Sequence, residues 1–148
     1  VLISTDKAVN PINLYGASKL AADKVFISAN QSARTEDAKF SVVRYGNVVA
    51  SRGSAIPLFL NLSKDKEKVI NVTDKNMTRF WISIYDAVHF VLSYCKIMVG
   101  GEIFIPKMPS MKIIDMAKSL APLNKIRFSG KRPGEKIFPH LRERAHQS

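Results

Sequence analysis

The sequence predicts an α/β fold with a mostly parallel sheet. Short β-rich runs alternate along the chain with longer segments whose apolar residues recur at helical spacing. This order is typical of strands joined by crossover helices. Hydrophobic residues make up 46% of the chain and charged residues 24%, which is ordinary for a globular protein.

The first half of the chain predicts strand, helix and strand in turn. Residues 1–4 form an apolar run that ends in a serine, as expected at the end of a buried strand. Residues 14–30 follow an Asn-Pro turn and carry apolar or small residues at helical spacing, which predicts a helix. Residues 40–45 predict a second strand, and the glycine, asparagine and serine residues after it predict a loop up to Ser54.

The second half continues the alternation. The predicted elements are a helix at 56–62, a strand at 69–72, a helix at 85–98, a strand at 102–105, a helix at 111–120 and a strand at 125–128. A Gly-Gly pair ends the third helix, and Ser110 is the predicted N-cap of the last one. The single cysteine, Cys95, is interpreted as a buried packing residue; one cysteine excludes an internal disulfide and fits a cytoplasmic protein.

The chain is strongly basic, with 23 Lys+Arg against 12 Asp+Glu and a formal charge of +11. The basic residues are spread along the chain, and no zinc-ligand spacing, RNP-like pattern or helix-turn-helix signature accompanies them. We therefore expect a small anionic ligand, with no bound metal and no nucleic-acid partner. No apolar run approaches the roughly 20 residues of a membrane span, so no membrane partner is expected either.

Tyr15 and Lys19 are the first candidates for chemistry. Because they are four residues apart on a predicted helix, both side chains project from one face. A tyrosine phenol, with a free pKa of about 10, is a poor base at neutral pH, whereas a neighbouring ammonium favours the phenolate. Such a pair can take a proton from a hydroxyl group while hydride leaves the same carbon. The spacing alone also fits an exposed helix surface, so its position after a strand ending in Ser-Thr is the stronger argument.

Further blocks of residues indicate a family. They are Thr5-Asp6-Lys7 and residues 10–19, 43–49, 51–54, 77–82, 100–104 and 132–136. In this order they resemble the inverting UDP-N-acetylglucosamine 4,6-dehydratases, which are extended short-chain dehydrogenase/reductases of the CapD-like polysaccharide biosynthesis family. Lys7 is the distinguishing residue, since sugar 4,6-dehydratases in general carry Thr-Asp-Glu at this strand end.

The resemblance implies a fold and a set of functional residues. The fold would be the C-terminal part of a Rossmann-like parallel sheet with a small substrate-binding α/β portion. The implied catalytic residues are Thr5, Asp6, Lys7, Tyr15 and Lys19. The implied NADP contacts are Ile3, Ser4, Tyr15, Lys19 and Val48. The implied UDP-sugar contacts are Asn47, Arg52, Gly53, Ser54, Ala55, Ile56, Val69, Arg79, Arg132 and Glu135.

The resemblance also implies a reaction. Tyr15 would take the proton of the sugar 4-hydroxyl as NADP+ oxidises C4. Lys7 would then remove the C5 hydrogen, and Asp6 would act as the acid for loss of the 6-hydroxyl as water. Hydride returns to C6, and protonation of C5 from the opposite face gives a UDP-4-keto-6-deoxy-L-sugar.

The implied domain organisation has three parts. Residues 1–50 would be the distal part of the NAD(P)-binding domain, 51–136 mainly the UDP-sugar-binding portion, and 137–148 a divergent tail. The seven glycines include no G-x-x-G-x-x-G arrangement opening a βαβ unit. We therefore expect a C-terminal fragment with no appreciable dehydratase activity by itself. The full-length protein is expected to be a homo-oligomer.

Three alternative interpretations stay open. A UDP-sugar 4-epimerase or reductase shares Tyr-x-x-x-Lys but needs no base for C5, so Lys7 separates it from a dehydratase. A non-catalytic nucleotide-sugar-binding remnant would keep affinity for UDP and lose it for NADP+. A basic nucleic-acid-binding domain would show affinity that falls steeply with salt and no preference for UDP.

Overall fold

The computed structural model of the protein describes residues 1–33, 38–51 and 53–142, and the described residues form eight strands and four α-helices. In chain order these are β1 (Leu2–Thr5), α1 (Leu14–Ser32), β2 (Val42–Tyr45), β3 (Asn47–Val48), α2 (Ala55–Leu62), β4 (Ile70–Val72), β5 (Thr78–Ile82), α3 (Ile84–Cys95), β6 (Ile103–Phe104), β7 (Ser110–Lys112), α4 (Ile113–Leu120) and β8 (Ile126–Phe128). All four predicted helices and all five predicted strands are confirmed, with ends that shift by a few residues.

The chain forms two compact units, each made of separate stretches of sequence. Of the described residues, the first unit contains 1–33, 38–46, 84–107 and 140–142, and the second contains 47–51, 53–83 and 108–139. The division expected from the sequence was continuous, whereas residues 84–107 belong here to the first unit. Strand pairing is the reason, because β6 joins the sheet of the first unit beside β2.

The first unit is built on a parallel sheet with the strand order β1-β2-β6. Ile3 lies opposite Val43, and Val42 lies opposite Ile103. Val42 and Val43 on the central strand are fully buried. Since parallel neighbours end at the same edge of a sheet, the residues that follow β1 and β2 are brought to one place.

A carboxylate clamp precedes β6 in this unit. Glu102 accepts hydrogen bonds from the backbone N–H groups of Val99 (2.6 Å) and Gly100 (2.8 Å) and from the hydroxyl of Ser41. Burial acts to raise the pKa of Glu102, but these hydrogen bonds outweigh it and lower the pKa to about 2. The clamp therefore ties the turn after α3 to the start of β2.

The second unit contains mixed β-structure around an apolar core. β5 pairs in parallel with β3 and antiparallel with β7, and β4 and β8 form a separate parallel pair. The buried core residues are Phe59, Ile70, Val72, Met77, Trp81, Ile113, Met116, Ala117 and Ala121. Helices α2 and α4 pack into this core, so the unit is held mainly by the hydrophobic effect.

Three strands of the second unit were not predicted, namely β3, β5 and β7. The prediction that Ser110 is the N-cap of α4 is wrong. Ser110 instead lies opposite Phe80 in the antiparallel β5–β7 pair. The helix begins only at Ile113, with Lys112 at the N-cap position. Each of these strands is defined by a partner distant in sequence, which a local pattern does not reveal.

The interpretation of Cys95 as a buried residue is wrong, since its side chain is exposed. Ala87 marks the buried face of α3. Eight residues of helix rotate Cys95 by about 80° away from that face. Among the described residues, no helix combines the length and the apolar character that crossing a membrane requires.

We expect Glu102→Gln to lower the free energy of unfolding at neutral pH by about 2 kcal/mol, because hydrogen bonds to a charged acceptor lose strength. The folded-state pKa is depressed, so the stabilisation is present above pH 4.5 and is lost as the pH falls towards about 2. Urea denaturation across this range measures both effects. Glu67→Gln at an exposed position is the matched control. Equal acid dependence of wild type and Glu102→Gln would contradict the clamp.

Candidate active site

The strand end at residues 5–7 forms a compact polar turn. A 3-10 helix at Asp6–Ala8 follows β1 directly, and Thr5 caps it by accepting a hydrogen bond from the backbone N–H of Lys7. The Thr5 hydroxyl donates to Asp6 Oδ1 at 2.8 Å, and Lys7 Nζ lies 3.0 Å from the same oxygen. Asp6 is only 3% exposed, whereas the side chain of Lys7 is 41% exposed. A buried carboxylate is thus paired with an accessible amine.

Tyr15 and Lys19 lie in the first turns of α1. The helix starts at Leu14 because Asn13 acts as N-cap, its side-chain oxygen accepting the backbone N–H of Gly16 at 2.7 Å. Lys19 Nζ lies 5.8 Å from the centre of the Tyr15 ring. Tyr15 is 54% exposed, so its phenol is accessible to a ligand. The structure confirms that both side chains share one face of the helix.

Gly16 brings this helix close to the polar turn. A Cβ atom at this position would lie 2.5 Å from the backbone oxygen of Lys7 and 3.0 Å from Cβ of Pro11. Only the absence of a side chain permits such an approach. Gly16 therefore brings the first turn of α1, which also carries Tyr15, against the backbone of the turn that holds Asp6 and Lys7. The sequence analysis did not assign Gly16 this role.

Two further residues lie at the same edge of the first sheet. Ser4 is buried, and its hydroxyl has no hydrogen-bond partner among the described residues, as expected of a group that a ligand completes. Tyr45 ends β2 opposite Thr5, and burial raises the pKa of its phenol. Because Tyr45 is half-buried and Tyr15 is exposed, the Tyr15 phenol is the more accessible candidate base. Ile3, on β1, is 45% exposed.

In the second unit the structure brings Arg79 and Glu135 together. Arg79 Nη2 lies 3.5 Å from Glu135 Oε1, and both side chains are mostly buried. Arg79 also donates to the carbonyls of Thr78 (2.7 Å) and Ile137 (3.4 Å). Thr73, which the sequence analysis missed, donates its hydroxyl to Glu135 at 3.5 Å. The guanidinium is therefore held in a fixed orientation.

The remaining candidates are placed along the same unit. Asn47 opens β3 and donates its amide to the carbonyl of Phe80 at 3.4 Å, and Val48 follows it. Gly53 has a φ of 73°, and Ser54 precedes α2, whose first residues are Ala55 and Ile56. Val69 lies just before β4 and is 40% exposed, while the carbonyl of Arg132 accepts the backbone N–H of Glu135 at 3.2 Å. Arg52 lies outside the described residues.

Among the described residues, no group of three or more His, Cys, Asp or Glu side chains is arranged to hold a metal ion.

The fold of this chain is shared with solved structures. The dTDP-glucose 4,6-dehydratase DesIV from Streptomyces venezuelae has a TM-score of 0.78 at 19% identity, over 96% of this chain and 50% of that one, which shows a common α/β fold. Among solved structures, Pen from Bacillus thuringiensis matches with a TM-score of 0.85 and 39% identity, over 94% of this chain and 45% of that one.

Sequence comparison gives the family. The model of the polysaccharide biosynthesis protein family matches residues 1–148, and the chain belongs to this family. The inverting UDP-N-acetylglucosamine 4,6-dehydratase of Campylobacter jejuni is 56% identical over 137 residues, which are 93% of this chain and 41% of that protein. The UDP-glucose 4-epimerase of Rickettsia canadensis is 43% identical over 145 residues, or 95% and 42% respectively. The chain thus spans less than half the length of these curated relatives.

Gly16→Ala tests the close approach of α1. In an unconstrained helix alanine is more stable than glycine by about 1 kcal/mol, so the substitution would stabilise the protein. Here the added methyl group meets the Lys7 backbone oxygen, and overpacking of this kind costs about 1–3 kcal/mol. We therefore expect a net loss of stability in urea denaturation. Ser28→Ala, at an exposed position of the same helix, should be neutral or stabilising. A Gly16→Ala protein more stable than wild type would contradict the contact.

Proposed function

We propose that this chain carries the catalytic residues of a dehydratase that removes water across C5 and C6 of UDP-N-acetylglucosamine and inverts C5. The observation that carries the proposal is the turn in which Lys7 Nζ lies 3.0 Å from Asp6 Oδ1, packed against the start of the helix that bears Tyr15. An acid and a base on one turn, together with a phenol base on the first turn of the adjacent helix, supply the groups that oxidation and elimination require. The 56% identity to the Campylobacter jejuni dehydratase supports the substrate.

The residues of the first unit fit the nicotinamide end of a cofactor, which we propose to be NADP. The Ser4 hydroxyl is buried and lacks a partner among the described residues, and it lies on β1 two residues before Asp6. Ile3 and Tyr15 are exposed, and Lys19 is half-buried. Val48 is proposed as a further cofactor contact. When bound, the cofactor supplies the redox chemistry by accepting hydride from C4 of the sugar and returning it at C6.

Tyr15 acts in the first step. As phenolate it takes the proton of the 4-hydroxyl, and the 4-keto sugar results. Lys19, with its ammonium 5.8 Å from the ring centre, stabilises the negative charge of the phenolate. Burial raises the pKa of the Tyr45 phenol, which makes its phenolate harder to form. Thr5 orients the sugar from the strand end, with its hydroxyl already fixed by Asp6.

Asp6 and Lys7 act in the elimination. Their hydrogen bond lets the proton pass from the ammonium to the carboxylate, which gives a neutral amine and a carboxylic acid. Covering the turn with substrate removes water and favours this neutral pair over the ion pair. The Lys7 amine then takes the C5 proton, made acidic by the adjacent ketone, and the Asp6 acid protonates the leaving 6-hydroxyl. The C5–H and C6–O bonds break, a C5=C6 double bond forms, and water leaves.

Arg79 and Glu135 form the proposed nucleotide contacts of the second unit. A guanidinium held by Glu135 and two carbonyls presents a pre-oriented cation to the diphosphate. Glu135 and Arg132, which are joined by a backbone hydrogen bond across one turn, are proposed to bind the ribose and the second phosphate. The proposed substrate contacts of Asn47, Arg52, Gly53, Ser54, Ala55, Ile56 and Val69 complete this set.

A second candidate function is 4-epimerisation of a UDP-sugar, favoured by the 43% identity to the Rickettsia canadensis epimerase. An epimerase uses Tyr15 and Lys19 in the same way. It requires no proton transfer at C5, so Lys7 would have no chemical role. The two functions therefore differ in what a Lys7 substitution does.

The decisive test places this chain in the Campylobacter jejuni relative in place of the matching segment, a protein we refer to as the graft. With UDP-N-acetylglucosamine the graft should release one water and incorporate solvent deuterium at C5, as measured by mass spectrometry and NMR. Lys7→Met should lower turnover by about 10²–10⁴-fold and abolish deuterium incorporation while C4 oxidation persists. Tyr15→Phe should abolish both.

Lys24→Met, an exposed lysine on α1, is the control and should act like the unsubstituted graft. A product of unchanged mass with inverted C4 would identify an epimerase. Unimpaired dehydration by the Lys7→Met graft would contradict the assignment of Lys7 as the base that removes the C5 proton. Comparing NADP+ with NAD+ as oxidant tests the proposed cofactor.

The nucleotide contacts are testable in the 148-residue chain itself by calorimetric titration with UDP. Arg79→Met removes charge-assisted hydrogen bonds and should weaken UDP binding by about 10- to 100-fold. Arg127→Met, on the exposed strand β8, is the matched loss of charge and should leave the Kd unchanged within about two-fold. Equal Kd values for Arg79→Met and Arg127→Met would show that Arg79 does not contact the nucleotide.

A further inference from the structure

We propose that the buried ion pair between Asp23 and Arg44 is a positioning device that sets where Tyr15 and Lys19 stand relative to the Thr5-Asp6-Lys7 turn. The proposal rests on the dehydratase function proposed above. Asp23 is fully buried and Arg44 is 2% exposed, and Arg44 Nε donates to Asp23 Oδ2 at 2.8 Å. Neither residue is part of the acid, base or nucleotide contacts already described.

The pair joins the two elements whose separation matters. Asp23 lies on α1 one turn beyond Lys19 and two turns beyond Tyr15. Arg44 lies on β2 directly opposite Ser4, and the next residue is opposite Thr5. The hydrogen bond therefore connects the helix that bears the phenol to the level of the sheet at which the catalytic turn begins.

Asp23 is the central of three contacts along one stripe of α1. Gly16, Asp23 and Asn30 are seven residues apart, which is close to two helical turns, so they share one face. Gly16 approaches the Lys7 backbone oxygen. Asn30 exchanges hydrogen bonds with the backbone of Phe40, donating at 2.6 Å and accepting at 2.8 Å. Only the central contact is a charged bond between two side chains, and it lies about one helical turn from Lys19.

The charged hydrogen bond between Asp23 and Arg44 is directional, whereas apolar packing between α1 and β2 would not be. Apolar side chains of similar volume often replace a buried ion pair without loss of stability. They do not, however, fix a distance or an angle as a hydrogen bond does. Proton transfer needs the reacting atoms within hydrogen-bond reach, and a displacement of about 1 Å can cost about 10²-fold in rate. The ion pair is therefore a means of fixing the helix in one register against the strand.

The test compares the unsubstituted graft with two double variants of it. The comparison distinguishes an effect on the position of the helix from an effect on stability. Asp23→Leu combined with Arg44→Met keeps the volume and removes the charges. It should unfold at the same urea midpoint as the unsubstituted graft, yet lower kcat about 100-fold with KM for UDP-N-acetylglucosamine unchanged. Asp23→Glu combined with Arg44→Lys restores an ion pair and should recover kcat to within about ten-fold of the unsubstituted graft.

The readouts also separate this proposal from the one on which it rests. An unsubstituted graft that forms no 4-keto-6-deoxy product would overturn the dehydratase function. An active graft whose apolar double variant matches its kcat would overturn only the positioning role. An ion-paired Glu–Lys double variant that folds but has a kcat as low as that of the apolar double variant would also overturn the positioning role. Affinity for UDP, which depends on residues of the second unit, should be unchanged in every folded variant.

Discussion

The close approach of the α1 N-terminus to the turn after β1 is the contact on which the rest of the candidate site depends. A side chain at Gly16 would overlap the Lys7 backbone oxygen, so the helix reaches this position only because none is present. Everything chemical in the first unit follows from that proximity. On the helix side of this contact, Tyr15 with its exposed phenol is the residue next to Gly16. On the other side, the turn carries the acid–amine pair of Asp6 and Lys7.

The two units are stabilised by different forces, and the difference suits their proposed tasks. The second unit has a contiguous apolar core that includes Phe59, Ile70 and Trp81, while its charged ligand candidates lie outside that core. The first unit buries the charged groups Asp6, Asp23 and Arg44 beside only a few apolar residues. Buried charges are costly unless paired, and each of these three has a partner at hydrogen-bond distance. The first unit thus contains directional bonds where proton transfer requires fixed geometry.

Helical periodicity and β-rich runs predicted elements such as α4, which buries Ile113, Met116 and Ala117, and β2, whose Val42 and Val43 are fully buried. They could not predict β7, because its pairing with β5 depends on a partner far away in sequence. The site shows the same division. Tyr15, Lys19, Asp6 and Lys7 were recognisable from local spacing and from resemblance to a family. Gly16, Tyr45 and Thr73 were not, since their roles come from backbone proximity, strand register or long-range hydrogen bonding.

The most direct measurement is a crystal structure of the graft with UDP-N-acetylglucosamine bound. The account predicts one sugar ring with its 4-hydroxyl in hydrogen-bond reach of the Tyr15 phenol and its C5 hydrogen facing the Lys7 amine. A sugar that touches Tyr15 while Lys7 points into solvent on the far side of the turn would contradict it.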